Sequence, residues 1–198
     1  MELVEGETYR GSILAFAIFG DGSFDKRIFE AILHKFNGKY SIIVPTLSFR
    51  ATGGHGAIKI LAWLIDNKQK FSVFPPEIWI IIDKEHKKEL LDSLKIYFQH
   101  ENLQAEDNIL HISISRTGTE YISLIVIFMG IEKRIEENIA ILIRERMNIS
   151  IKPDKKEIGK ILRKHGIKLK QLVDTSKKLE LRKAFGRLID LLEKYEET

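Results

Sequence analysis

Acidic side chains follow two of the apolar segments that the sequence predicts to be buried strands. Asp21 follows the segment over residues 12–19, and Asp83 and Glu85 follow the segment over residues 78–82. Because residues i and i+2 of an extended chain lie on one face, Asp83 and Glu85 can share a cation. Few basic residues are interleaved to neutralise these acids, and carboxylate oxygens are the ligands that Mg²⁺ prefers in proteins. The pattern predicts a Mg²⁺ or Mn²⁺ site that includes Asp21, Asp83 and Glu85.

Turn and helix-start chemistry accounts for the same acids. Asp83 stands where a helix is predicted to begin, and carboxylates near a helix N-terminus are favoured by capping and by the helix dipole. Asp21 lies between two glycines, which suits a tight turn, and Asp25 then falls in the first turn of the next predicted helix. The sequence leaves both interpretations open for these residues.

A glycine-rich loop, Gly53-Gly54-His55-Gly56, precedes the helix predicted over residues 57–65. Backbone N–H groups at such a helix start suit a phosphate, and Arg50 and Lys59 add positive charge on either side. We therefore predict that Arg50, Gly53, Gly54 and Lys59 bind phosphate. A flexible connection without a ligand is the equal alternative.

Several chemistries lack the residues that they need. The 198 residues contain no cysteine, which excludes a disulfide scaffold, a cysteine nucleophile, an iron–sulfur cluster and thiolate zinc. No Walker P-loop, complete dinucleotide-binding pattern, Gly-x-Ser-x-Gly elbow or HExxH spacing occurs. No apolar run reaches the roughly 18 residues of a membrane helix, and the acidic start does not resemble a signal peptide. We expect a soluble cytoplasmic protein, whose high isoleucine and lysine content suits a thermophile.

The segments between these residues predict the scaffold that positions them. Residues 12–19, 41–49, 78–82, 109–115 and 122–128 have the patterns of strands, and residues 24–36, 57–65 and 86–98 those of helices. Their alternation predicts an α/β fold: a Rossmann-like, mostly parallel sheet with helices on both faces. Pro45 favours an edge position or a bulge for the 41–49 strand. Ligands of open parallel sheets bind beyond the carboxyl ends of the strands, so the acids and the glycine loop are expected to meet there.

The second part of the chain is helical and basic. Residues 131–147, 155–164 and 178–195 carry helical stripes, and residues 152–198 hold 14 Lys or Arg against 8 Asp or Glu. Residues 1–151 hold 18 against 20. We therefore predict an α/β domain over residues 1–150 and a basic helical extension over residues 151–198. Clustered cations favour a polyanionic partner, although a solvated lysine-rich surface has the same composition.

The order of these motifs resembles the Toprim domain of topoisomerases, primases and related nucleases. The matching stretches are AIFGDGSFDKRIFEAIL, TGGHGAIKILAWL and IWIIIDKEH, with GIEKRIEENIAIL as a fainter match to an acidic helix of stand-alone and nuclease-associated members. The resemblance implies Mg²⁺-dependent phosphoryl transfer on nucleic acid. It implies that Asp83 and Glu85 hold the metal, that Asp21 is a general acid/base or a ligand, and that Glu136 or Glu132 is a further ligand.

Two departures from the family pattern keep other functions open. The family's first acid is usually glutamate, where this chain has Asp21, and its second motif is usually Asp-x-Asp, where this chain has Glu85 in the last place. Glu5 in LVEGET also resembles the first motif, but four preceding residues are too few for a central strand. Two alternatives to a nuclease therefore stay open. One is a catalytically inactive module that binds nucleic acid or a protein, and the other is a nucleotide-sensing α/β domain. DNA and RNA, and a homodimer or a larger nucleic-acid-processing assembly, all stay open.

Overall fold

A seven-stranded sheet orders the chain in the structure, a computed structural model that describes residues 1–6, 12–20, 23–47 and 52–196. The strands run across it in the order β1-β3-β2-β4-β7-β6-β5. The first five are mutually parallel, β6 is antiparallel to β7, and β5 is antiparallel to β6. They are β1 (Glu2–Glu5), β2 (Ser12–Phe19), β3 (Tyr40–Val44), β4 (Glu77–Asp83), β5 (Gln99–Glu106), β6 (Ile109–Ser115) and β7 (Ile122–Met129).

Eight α-helices accompany the sheet within the described residues. They are α1 (Ser23–Leu33), α2 (Gly53–Asp66), α3 (Lys87–Tyr97), α4 (Ile135–Met147), α5 (Lys155–Lys164), α6 (Leu169–Thr175), α7 (Lys178–Phe185) and α8 (Arg187–Glu196). No helix in this part of the chain combines the length and the apolar character needed to cross a membrane.

The central strands are apolar throughout because helices cover both of their faces. In β4, Trp79 and Ile81 lie in the cluster that α1 and α4 to α8 complete. Ile80 and Ile82 point the other way, into the cluster completed by α2 and α3. The predicted α/β class, with a mostly parallel sheet between two helical layers, is confirmed.

Helices α5 to α8 share a core with the sheet. Leu188 and Leu192 of α8 are fully buried in the same cluster as Trp79. The hydroxyl of Tyr195 donates to Glu77 at 2.8 Å, and Trp79 Nε1 donates to the same carboxylate at 2.7 Å. Burial, together with the hydrogen bond to Glu77, raises the pKa of Tyr195, so its phenol stays a neutral donor. These four helices therefore form part of the layer that covers one face of the sheet.

Two local differences from the sequence prediction have physical causes. β3 ends at Val44, directly before Pro45, and lies between β1 and β2, so the expectation of an edge strand is wrong. The β2–β3 pair does contain a register shift, which lies in β2 between Ile13 and Ala15. The stripe over residues 178–195 is two helices, because Gly186 adopts a φ of +55° between α7 and α8. Among the described strands, β1 pairs with β3 alone and is an edge strand, so Glu5 does not follow a central strand.

Candidate functional site

Asp83 ends β4 at the carboxyl edge of the sheet and is only 6% exposed. Its Oδ1 accepts the backbone N–H of Ile135, the first residue of α4, at 2.8 Å. The first N–H groups of a helix have no partner within the helix, so Asp83 satisfies one of them and fixes the start of α4. Asp83 thus caps a helix, but not the one that follows it in the chain, where its side chain makes no cap hydrogen bond.

Glu85 lies in the 3-10 turn that follows β4 and binds the residue before α4. Its Oε1 accepts from Arg134 Nε at 2.8 Å, and its backbone N–H donates to the carbonyl of Lys133 at 3.0 Å. The hydrogen bond and charge of Glu85 raise the pKa of Arg134 against desolvation, with further contributions from the charges of Glu136 and Asp83. The structure therefore gathers Asp83, Glu85 and Glu136 around one guanidinium group.

Glu136 belongs to the first turn of α4 and is 5% exposed. Its Oε1 lies 3.3 Å from Lys155 Nζ of α5, whereas its buried Oε2 has no hydrogen-bond partner among the described residues. Glu136 is therefore a buried acid of the helix and not a solvated one. A buried carboxylate oxygen without a donor is costly, so Oε2 of Glu136 is an unsatisfied atom of this edge.

The loop between β7 and α4 is held by Glu137. Its Oε2 accepts the backbone N–H groups of Ile131 at 2.7 Å, Glu132 at 2.6 Å and Lys133 at 3.2 Å. Burial opposes ionisation of Glu137, but the backbone hydrogen bonds outweigh it and lower the pKa of this carboxyl. These hydrogen bonds therefore hold the loop in the conformation in which Arg134 contacts Glu85.

The glycine loop begins α2, and an anion of the protein itself occupies this N-terminus. Glu89 of α3 accepts the N–H of Gly54 at 3.1 Å and that of His55 at 3.0 Å. The hydrogen bond from His55 is the largest of the effects that lower the pKa of Glu89. A phosphate bound by Gly53 and Gly54 would therefore compete with Glu89 for these amides. Lys59 lies beside them, in the lining of a neighbouring cavity of about 570 Å³.

Two of the predicted site residues, Asp21 and Arg50, lie outside the described residues. Gly20 directly precedes the first of them, and its carbonyl accepts the N–H of Gly53 at 2.9 Å. The chain therefore leaves β2 beside the start of α2. Asp25 falls in the first turn of α1, as predicted, and is 2% exposed.

The described residues contain no group of three or more acidic, histidine or cysteine side chains placed to hold a metal ion. Asp83, Glu85 and Glu136 instead interact with the Ile135 N–H, Arg134 and Lys155. Sequence reasoning missed these cations and also Glu89, because each partner comes from a different element. The position of Glu89 near the start of a predicted helix was the one available signal.

The excess positive charge lies in a single stretch, residues 152–170, which we call the basic stretch. It holds eight Lys or Arg and two Asp or Glu, whereas residues 171–198 hold six of each. The three cations of α7 pair with acids of α8 and α4: Arg182 with Asp190 and Glu193, Lys178 with Glu196, and Lys183 with Glu145. In the basic stretch, six exposed lysines have no ion pair with any described residue: Lys152, Lys156, Lys160, Lys164, Lys168 and Lys170.

Comparison of the chain with protein-family models, with curated proteins and with solved structures gives no significant match.

Proposed function

We propose that the protein is a Toprim-type, Mg²⁺-dependent phosphoryl-transfer enzyme that acts on nucleic acid, most specifically a nuclease. Glu136 carries this proposal, because its carboxylate is buried at the carboxyl edge and Oε2 lacks a hydrogen-bond donor among the described residues. Asp83 and Glu85 lie on the same side of the edge, around Arg134. A divalent cation is the partner that would satisfy such a set of oxygens.

The donor set fits Mg²⁺ in its chemistry, and Asp21 is needed to complete it. Asp83, Glu85 and Glu136 offer only carboxylate oxygens, but no group of three ligands within the described residues is placed to hold a metal. Asp21, which follows β2 two residues after Phe19, is the further ligand or the general acid/base in this proposal. Bound Mg²⁺ would stabilise the negative charge that develops on a phosphate during transfer.

Arg134 would bind the phosphate next to this group. Its side chain is 61% exposed and uses Nε for Glu85, so its other N–H donors are not taken up by that bond. A guanidinium in this position can hold Glu85 and a phosphate oxygen at once. The lysines of the basic stretch would hold the nucleic-acid backbone without reading its sequence.

The test is cleavage of DNA and RNA by the full chain with Mg²⁺ or Mn²⁺. Asp83→Asn keeps an oxygen for the Ile135 N–H but loses the charge, and we expect it to abolish metal-dependent cleavage. Asp92→Asn is the matched control, since Asp92 is exposed on α3, away from the edge, and should cleave as the wild type does. Unchanged cleavage by Asp83→Asn would overturn the proposal.

A nucleic-acid- or protein-binding module without catalysis is the second candidate. Arg134 and Lys155 favour it, because they already neutralise Glu85 and Glu136 in the positions where a metal would act. This candidate predicts binding to nucleic acid that weakens with salt, and no turnover in Mg²⁺ or Mn²⁺. Cleavage that Asp83→Asn abolishes would exclude it.

A further inference from the structure

A cavity of about 500 Å³ lies between α1, α5 and the start of α6. Its volume falls within the roughly 300–1,000 Å³ of typical small-molecule sites. None of the acids of the carboxyl edge lines it. Its floor is apolar, and its apolar lining residues are Phe24, Ala31, Ile158, Leu162 and Leu169.

The rim of the cavity is positively charged. Arg27, Lys155, Lys168 and Lys170 line it, and Glu30 is the one acid among the described lining residues, which leaves an excess of three positive charges. Lys168 and Lys170 are exposed and make no ion pair within the described part of the chain, and the carboxylate partner of Lys155 lies outside the cavity. An excess of this size favours a ligand with more than one negative charge.

Gly159 shapes the cavity wall in the middle of α5. A Cβ built on it would meet no atom within 4 Å, so close packing does not require a glycine here. Glycine weakens a helix interior relative to alanine. A larger side chain at this position would project into the cavity, which gives a direct way to block it.

Phe24 combines an aromatic ring with positive charge in the lining of the cavity. Lys155 Nζ lies 5.0 Å and Arg27 Cζ 6.0 Å from its ring centroid. A fatty acid would match the apolar floor but has a single charge, and inorganic phosphate would match the charge but leave the floor exposed. A nucleoside phosphate satisfies both, because it joins a flat apolar-faced base to a multiply charged group.

We propose that this cavity binds a nucleotide, with the base against the apolar floor and the phosphates at Lys155, Lys168 and Lys170. A free nucleotide and the phosphorylated end of a nucleic-acid strand present the same chemistry. The site uses none of the proposed metal ligands, so its test is carried out in EDTA and does not depend on cleavage.

The experiment is calorimetric titration of the full chain with ATP, AMP, a 5′-phosphorylated single-stranded trinucleotide and decanoate. We expect saturable binding of ATP or of the trinucleotide, and the tighter of the two identifies the source of the nucleotide. Gly159→Leu should weaken this binding about tenfold or more by filling the cavity, and Lys168→Ala with Lys170→Ala should weaken it similarly by removing two cations.

The matched control is Lys88→Ala with Lys95→Ala, which removes two exposed cations of α3 that do not line the cavity. It should bind the nucleotide as the wild type does, and circular dichroism should show native helix content in every variant. Four results would overturn the proposal. They are absence of binding by every nucleotide probe, equal affinity in Gly159→Leu and wild type, an equal loss in both lysine pairs, and tighter binding of decanoate than of ATP.

Discussion

The carboxylate of Asp83 accepts the backbone N–H of Ile135 at 2.8 Å and thereby joins the carboxyl end of β4 to the start of α4. The same element brings Arg134 to Glu85 and places Glu136 in its first turn. The hydrogen bonds of Asp83 with Ile135 and of Glu85 with Arg134 therefore join the end of β4 to the helix that carries Glu136, the third acid of the proposed reaction.

Substitution of Asp83 separates its structural role from its proposed catalytic one. Asp83→Ala leaves the buried Ile135 N–H without its acceptor, so we expect the free energy of unfolding to fall by about 1–3 kcal/mol. Asp83→Asn offers an amide oxygen to the same N–H and should be destabilised less, while both variants lose metal-dependent cleavage. Urea denaturation measures the difference, and equal stability of Asp83→Ala and wild type would show that this hydrogen bond does not hold α4.

The parts of the fold that could be predicted from the sequence are those that apolar residues determine locally. β2 and β4 were evident because both of their faces are buried, which leaves almost no polar residues in either segment. β5, with the sequence QHENLQAE, was missed because all of its residues are exposed at the sheet edge. Only its pairing with β6 makes it a strand, and nothing in its own composition indicates that pairing.

The candidate site was predictable to a similar extent. The rule that ligand-binding residues follow parallel strands identifies Asp83 and Glu85 without any knowledge of packing. Their partners could not be found in this way, because Arg134 and Lys155 reach Glu85 and Glu136 only after α4 and α5 have packed beside the edge. The concentration of charge in residues 152–170 was present in the sequence, and a count over shorter windows would have shown it.

Lys155 is expected to compete with a metal for Glu136. Lys155→Met removes the ammonium 3.3 Å from Oε1, so a buried carboxylate loses its cation. We expect the free energy of unfolding to fall by about 1–2 kcal/mol. This is less than for a fully buried pair, because the Lys155 side chain is 66% exposed. If Glu136 is a metal ligand, Mg²⁺ should raise the Tm of this variant more than that of the wild type. Lys156→Met is the exposed control on the same helix, and an equal Mg²⁺ response in all three proteins would contradict a metal at Glu136.

Glu89 should stabilise the protein in a pH-dependent manner. Its pKa is below the ordinary value of 4.5, so its contribution is complete above pH 4.5 and is lost as the pH falls through the lowered pKa. Glu89→Ala removes a cap from the N-terminus of α2 and should cost about 1 kcal/mol at pH 7. Denaturation curves of wild type and variant should converge as the solution is made more acidic than pH 4.5. If the wild type and Glu89→Ala differ in free energy of unfolding by the same amount at pH 7 and in acid, Glu89 is not an ionised cap of α2.

The same variant tests phosphate binding at the glycine loop. In the wild type, Glu89 occupies the N–H groups of Gly54 and His55, so inorganic phosphate has to displace a carboxylate. Glu89→Ala frees both amides and removes a negative charge, and we therefore expect phosphate to bind this variant several-fold more tightly. Titration with inorganic phosphate measures the change. Glu89→Gln, which keeps one neutral acceptor, should give an intermediate affinity, and no gain in either variant would exclude the loop as a phosphate site.

Two glycines in helices should respond oppositely to the same substitution. A Cβ on Gly54 would lie 2.5 Å from the backbone nitrogen of Leu90 and 2.8 Å from its Cα, so Gly54→Ala must push α2 away from α3. We expect this overpacking to lower the free energy of unfolding by about 1–3 kcal/mol. A Cβ on Gly159 meets no atom within 4 Å. Gly159→Ala should therefore raise the free energy of unfolding by about 0.5–1 kcal/mol, because alanine has the higher helix propensity. Urea denaturation of the two variants decides the matter. If Gly54→Ala is as stable as the wild type, α2 and α3 do not meet at Gly54. The hydrogen bonds from α2 to Glu89 depend on this close approach, so they would then be contradicted as well.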